Sequence, residues 1–138
     1  MFGWEADIAW ITVIGDTNPM HPFPETSKLQ FLVGKELEQI CLAYWQVWFT
    51  FDKGQISVEG DFEHVDKAGT VRRHNTDETR SSPFYLHHLF GQKVERIEVE
   101  PFRLTLAFDG GDIIRIFSDE GPYECGQICD EGGKLTVF

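Results

Sequence analysis

Two stretches decide the fold: VGKELEQICLAYWQVWFTFDKGQISVEGDFEHVD, Val33–Asp66, and FGQKVERIEVEPFRLTLAFDGGDIIRIFSDEGPYE, Phe90–Glu124. Set side by side, Gly34 falls on Gly91, Leu37 on Val94, Glu38 on Glu95 and Ile40 on Ile97. Trp45, Val47, Phe49, Phe51 and Asp52 fall on Phe102, Leu104, Leu106, Phe108 and Asp109. The second copy carries one extra residue after its turn. Ile56 and Val58 therefore meet Ile114 and Ile116, while Asp61 and Asp66 meet Asp119 and Glu124. Self-similarity of this kind marks an internal duplication.

In each copy the middle segment alternates strictly, Trp45, Val47, Phe49 and Phe51 against Phe102, Leu104, Leu106 and Phe108. A period of two with aromatic and branched residues is the signature of a half-buried strand. Asp52-Lys53-Gly54 and Asp109-Gly110-Gly111-Asp112 supply residues that tolerate positive φ, so each copy reads as a hairpin. Ile40 with Leu42, and Ile97 with Val99, suggest a strand ahead of each hairpin, giving a three-stranded meander per copy. The expected fold is mainly β, bordering α+β: duplicated antiparallel meanders around one core with one or two short helices. Residues 1–138 are expected to form a single domain, with pseudo-repeats 33–66 and 90–124.

Outside the copies, Ile8–Ile14 and Lys134–Phe138 read as further strands. Helical turns are expected at Pro24–Leu32 and Pro83–Phe90, with Thr26, Ser27, Ser81 and Ser82 as caps. The polar stretch 67–82 reads as a mobile connection, and Arg72, Arg73, His74 and Arg80 make it the one locally basic patch.

The whole chain is acidic. Among 138 residues, 23 Asp plus Glu face 12 Lys plus Arg, a formal charge of -11. Nucleic-acid binding is led by cationic contacts, so a phosphate backbone is a poor partner, whereas an acidic field raises the encounter rate of basic ones. Met1–Trp10 carries Glu5 and Asp7 without Lys or Arg, which does not read as a secretory signal. No stretch approaches the ~18 apolar residues of a membrane helix. Three cysteines, Cys41, Cys125 and Cys129, cannot all pair internally, and the odd count fits a reducing cytoplasm.

Chemistry-bearing motifs are sparse. Cys125 and Cys129 lack a second ligand pair and the Cys-x-x-Cys spacing, so neither a zinc site nor a redox pair is expected. Of His21, His64, His74, His87 and His88, the adjacent pair 87–88 points two ways on any regular element and would not share one coordination sphere. Gly110-Gly111 sits in a hairpin rather than between strand and helix, which leaves nucleotide binding without support. No catalytic, metal or cofactor residue is assigned. Trp45 and Trp48 differ in parity on one strand, which implies a strand covered on both sides or an exposed aromatic spot of Trp48 and Tyr44; double coverage is the expectation. Asp61, Asp66, Asp119 and Glu124, placed just after each meander, are the candidate partner-binding acids, set against the plainer role of guarding a sheet edge.

Gly-x-x-hydrophobic-x-x-Ile openings at Gly34 and Gly91, Phe-Asp-x-Gly hairpins at Phe51 and Phe108, and the closing Pro122-Tyr123-Glu124-Cys125 resemble small uncharacterised bacterial proteins. Some of those look like immunity proteins of toxin systems. Their closing motif usually reads Tyr-Glu-Ser, and Cys125 stands here where Ser would. The resemblance spans most of Val33–Ile128 and implies a stoichiometric binding protein without catalytic residues. The resulting expectation is a non-enzymatic cytoplasmic protein that binds a basic toxin or other basic protein through acidic patches. Two rivals are a small-ligand protein or enzyme with a pocket between the repeats, and a homodimeric assembly module.

Overall fold

In the computed structural model, residues 22–76, 83–119, 121 and 123–138 are described. The first meander is β1 (Leu37–Leu42), β2 (Val47–Phe51) and β3 (Gln55–Val58), followed by β4 (Asp61–Val65) and β5 (Val71–Asn75). The second is β6 (Val94–Glu100), β7 (Arg103–Phe108) and β8 (Ile113–Phe117), followed by β9 (Gly126–Cys129) and β10 (Leu135–Val137). All ladders between these strands are antiparallel, in two five-stranded sheets ordered β1-β2-β3-β9-β10 and β5-β4-β8-β7-β6. The protein is mainly β. Each meander is thus completed by the hairpin that follows the other meander.

Side-chain parity explains the exchange. Val58-Glu59-Gly60-Asp61 is short enough for a two-residue hairpin. Such a turn would set Val58 opposite Asp61 and Ile56 opposite Glu63. Opposed residues share a face, so the acids would enter the core while Phe62 turned outward. By crossing to the other sheet, β4 instead sets Phe62 against Ile116 and His64 against Ile114, all four buried. One hydrophobic cluster draws on both sheets, and Phe49 of one meets Phe62 of the other edge-on at 5.7 Å.

The meanders also meet each other reciprocally. Gly34 N–H donates to Val94 O, and Gly91 N–H to Leu37 O; Leu37 N–H donates to Gln92 O, and Val94 N–H to Lys35 O. These four bonds exchange equivalent positions across the isolated bridge between Glu36 and Lys93. Gly34 and Gly91 hold φ of 89° and 84°, and space around both is open, so conformation rather than crowding requires glycine there. The register shifts between Leu37 and Gln39 and again between Val94 and Arg96, which leaves Glu38 and Glu95 as matching bulges.

Several expectations need correction. The segment 67–82 is not merely a connection, because Val71–Asn75 is a strand paired with β4. Its composition hid this: the outward side chains are Val71, Arg73 and Asn75, and the face toward the core carries Arg72 and His74. The expected basic patch is neutralised, with Arg72 paired to Asp66, Arg73 to Asp61 and Glu63, and His74 buried. Arg80, Ser81, Ser82 and the Ile8–Ile14 strand lie outside the described residues. Trp45 is not on the core face: it lies in the β1–β2 turn, exposed beside Tyr44, while Trp48 is half-buried. Short helical turns do precede each meander, as α1 (Thr26–Leu29) running into a 3-10 turn at Gln30–Leu32, and as a 3-10 turn at Leu86–Leu89. None has a side-chain cap. Burial of Leu29, Leu32, Leu86 and Leu89 holds these turns instead.

Strand pairing also revises the equivalences after the meanders. With β9 on β3 and β4 on β8, Phe62 corresponds to Gly126, His64 to Ile128 and Asp66 to Asp130. Through β5 and β10, His74 corresponds to Phe138. The two halves solve one packing problem in different ways. A Cβ on Gly126 would stand 2.4 Å from the Phe138 ring, so one half combines glycine with phenylalanine where the other combines Phe62 with His74. Phe138 stacks on Phe23 at 4.4 Å, and His74 on Phe84 at 4.5 Å.

His74 is buried and neither ring nitrogen has a hydrogen-bond partner. Burial pushes its pKa down, and the charges of His64 and Arg72 push the same way. The folded state therefore prefers the neutral ring, while the unfolded chain takes up a proton near about pH 6.5. This stability is fully present above that pH and is lost as pH falls below it. His74→Phe, which copies the sister half, is expected to raise stability by about 1 kcal/mol at neutral pH. Urea midpoints measured from about pH 8 to about pH 5 should fall less in the variant than in the parent. An identical pH profile would show that His74 is not the acid-sensitive group.

Candidate functional site

Near-twofold symmetry produces two comparable ends, each where a 3-10 turn, a meander hairpin and a crossed-over hairpin loop meet. The two loops are built alike. Asp66 Oδ1 accepts from the N–H groups of Ala68 and Thr70, each at 3.0 Å, and Asp130 Oδ1 from those of Gly132 and Lys134, each at 2.9 Å. Gly69 and Gly133 close them with φ of 91° and 85°.

The ends differ in what lies beneath the loops. At the first, the Phe31 ring lies 2.8 Å from where a Cβ on Gly54 would stand, and Lys35 is ion-paired to Glu131. At the second, Asp112 replaces Gly54, since Phe51 N–H donates to Gly54 O just as Phe108 N–H donates to Asp112 O. His88 replaces Phe31, Gln92 replaces Lys35 and Lys67 replaces Glu131. Here a pocket of about 480 Å³ is lined by Asp66, Lys67, Ala68, His88, Gln92, Gly110 and Asp112. Asp66 to Ala68 come from the first half and the others from the second, so the pocket lies between the repeats.

Asp112 is buried at its base. Its Oδ2 lies 2.7 Å from His64 Nε2, and His64 is fully buried where the sister half has Ile128. His64 Nδ1 has no partner. Gln92 Nε2 donates to His88 O at 2.7 Å and to Asp112 Oδ1 at 3.2 Å. Because both partners only accept, the amide orientation is fixed and Oε1 is left buried without a donor. Gly110 makes room for this amide, whose atoms would lie 2.4 to 2.8 Å from a Cβ there. Asp112 and Gln92 both line the cavity, and the carboxylate and the orphan carbonyl oxygen lie buried beneath its surface, a base that accepts hydrogen bonds.

The four expected acids lie at the ends of β4 and in the connection from β8 to β9. Asp61 and Asp66 bracket β4, roughly 16 Å apart at strand rise. Asp61 bonds Arg73 and Asn75. Asp66 bonds Arg72 as well as its own loop, and the guanidinium holds its carboxyl below the usual range. Asp119 accepts from Gly121 N–H, and Glu124 from Gln127 Nε2. Only Asp66 lines the pocket. The three cysteines are free thiols, and burial pushes the Cys125 pKa up, away from the thiolate a nucleophile needs. Among the described residues no three His, Cys, Asp or Glu side chains are grouped to hold a metal ion. His87 and His88 meet edge-on at 4.4 Å, and His88 alone of the two lines the pocket.

Sequence reasoning passed over His64, Asp112 and Gln92. The available signal was the alternation Phe62, His64, which puts a histidine on the core face, together with the extra residue that places Asp112 at the hairpin. No protein-family model matches the chain, and no curated protein matches it in sequence.

Replacing His64 by Ile, the sister residue, strands Asp112 in the core and should cost about 3 kcal/mol. The double variant His64→Ile/Asp112→Gly removes both polar groups and should recover most of that loss in a urea-unfolding cycle. Equal destabilisation of single and double variants would show that the pair does not act as a unit.

Proposed function

We propose that the chain is a non-enzymatic binding protein of the immunity type, acting in the cytoplasm, whose acidic surface engages a basic protein. What carries this reading is where its arginines go. Each of the five arginines among the described residues is ion-paired to a neighbouring carboxylate: Arg72 to Asp66, Arg73 to Asp61 and Glu63, Arg96 to Glu98, Arg103 to Glu100, and Arg115 to Glu63. With these five guanidinium groups neutralised in place, the net charge of -11 is carried by surplus acids. Asp61 and Asp66 are occupied in those pairs, which leaves Asp119, at the surface, and Glu124 as the candidate acids that add to that field directly. Among the described residues no helix is long and apolar enough to cross a membrane.

A second reading, a small-ligand protein using the pocket between the repeats, is favoured by the buried Asp112 and the orphan Gln92 Oε1. The two readings are compatible.

A steered association has a clear salt signature. Raising salt from about 0.01 M to about 1 M shortens the screening length from about 30 Å to about 3 Å. The rate of association with the partner should fall at least about tenfold, with dissociation changing far less. Asp119→Lys/Glu124→Lys should slow association further at low salt. A partner that is acidic, or an association rate indifferent to salt, would remove the proposal.

A further inference from the structure

We infer that the pocket beneath the Asp66–Thr70 loop takes one cationic side chain, a lysine ammonium or arginine guanidinium, from the basic partner. This rests on the reading that the partner is basic, and adds where and how it is anchored.

Hydrogen-bond capacity at the base favours a donor. The Asp112 carboxylate offers about four acceptor positions and uses two, toward His64 and Gln92. Gln92 Oε1 is a buried acceptor with no donor, and its amide cannot flip, because Nε2 is held by two acceptors. What this base lacks is a donor. An ammonium or guanidinium provides several, and charge-assisted bonds to a carboxylate are about twice as strong as neutral ones.

The sister end offers a contrast. There the chain supplies its own cation: Lys35 reaches the Glu131 carboxylate in the crossed-over loop. At the pocket end Gln92 stands where Lys35 would, so no ammonium arrives from that position, and the buried acid is Asp112. The loop cation at this end, Lys67, stands on the exposed rim, so the buried Asp112 is left without an ammonium of the chain's own. About 480 Å³ accommodates a lysine or arginine side chain together with the adjoining backbone.

Lys67 on the exposed rim works against a cation, which gives the inference a sign that can be tested. A cationic guest should bind more tightly once Lys67 is removed, whereas an anionic or zwitterionic guest should bind more weakly.

The test is an NMR titration of the full chain with n-butylammonium, acetyl-Gly-Lys-Gly-amide, acetyl-Gly-Arg-Gly-amide and the norleucine peptide as uncharged control. Expected are saturable shifts at the amides of Ala68, Gln92, Gly110 and Asp112 with butylammonium and with at least one cationic peptide, and none with norleucine. Asp112→Asn should weaken binding about tenfold or more, and Lys67→Ala should tighten it about two- to fivefold. Should Asp112→Asn fail to fold, Gln92→Leu tests the same base by removing the orphan acceptor, with weaker binding expected. Shifts from butylammonium without any from either cationic peptide would overturn the partner's side chain as the guest. Shifts spread over the acidic surface without saturation, or weaker binding in Lys67→Ala, would overturn the pocket anchor while leaving an acid-steered partner in place. Failure of the basic-partner reading shows separately, as salt-independent association.

Discussion

The free edge of a third strand has to be paired. A three-stranded meander with one apolar face leaves a row of backbone N–H and C=O groups on β3 and on β8, and the parity of the chain that follows decides what covers them. Continuing each meander in place would satisfy the hydrogen bonds but turn Phe62 outward and draw Asp61 and Glu63 into the core. Crossing over satisfies both demands together. It obliges each half to complete the other, and the reciprocal bonds between 34–37 and 91–94 hold the two meanders in the mutual orientation this requires.

The pocket follows from the same constraint. Because the hairpin loops are delivered by the opposite half, each end of the molecule is a composite, and the two composites have diverged on one scaffold. One end is closed by Phe31 over Gly54 and by a lysine salt bridge. The other exchanges these for His88, Asp112 and Gln92, and buries His64 where its counterpart is Ile128. A histidine and an aspartate placed together in a core cost more than the apolar pair they displace, and such cost is more readily understood at a site than in a scaffold.

Strands of the meanders were legible because alternation reports burial directly: Val47, Phe49 and Phe51, like Leu104, Leu106 and Phe108, are buried as their spacing requires. The crossed-over hairpins were not. Alternation says which face is apolar, not which strand lies alongside, and β5 presents mostly arginine and asparagine because its outward side chains answer Asp61 and Glu63 across the sheet. The link from β3 to β4 is Glu59-Gly60, whereas that from β8 to β9 runs from Ser118 to Cys125, six residues longer. Continuing the repeat without that gap set Asp66 against Glu124, when its counterpart is Asp130. With the offset lost, the contrasts of His64 with Ile128 and of Asp112 with Gly54, which single out the pocket, could not be seen from sequence.

The exchange of hairpins is open to direct observation by nuclear Overhauser contacts in solution. Cross-strand contacts should join Ile56 to Ile128 on one sheet and Phe62 to Ile116 on the other, with β3 and β4 showing none between Ile56 and Glu63. Contacts from Val58 to Asp61 and from Ile56 to Glu63, the pattern of an ordinary tight hairpin, would contradict the crossed architecture and with it the composite pocket.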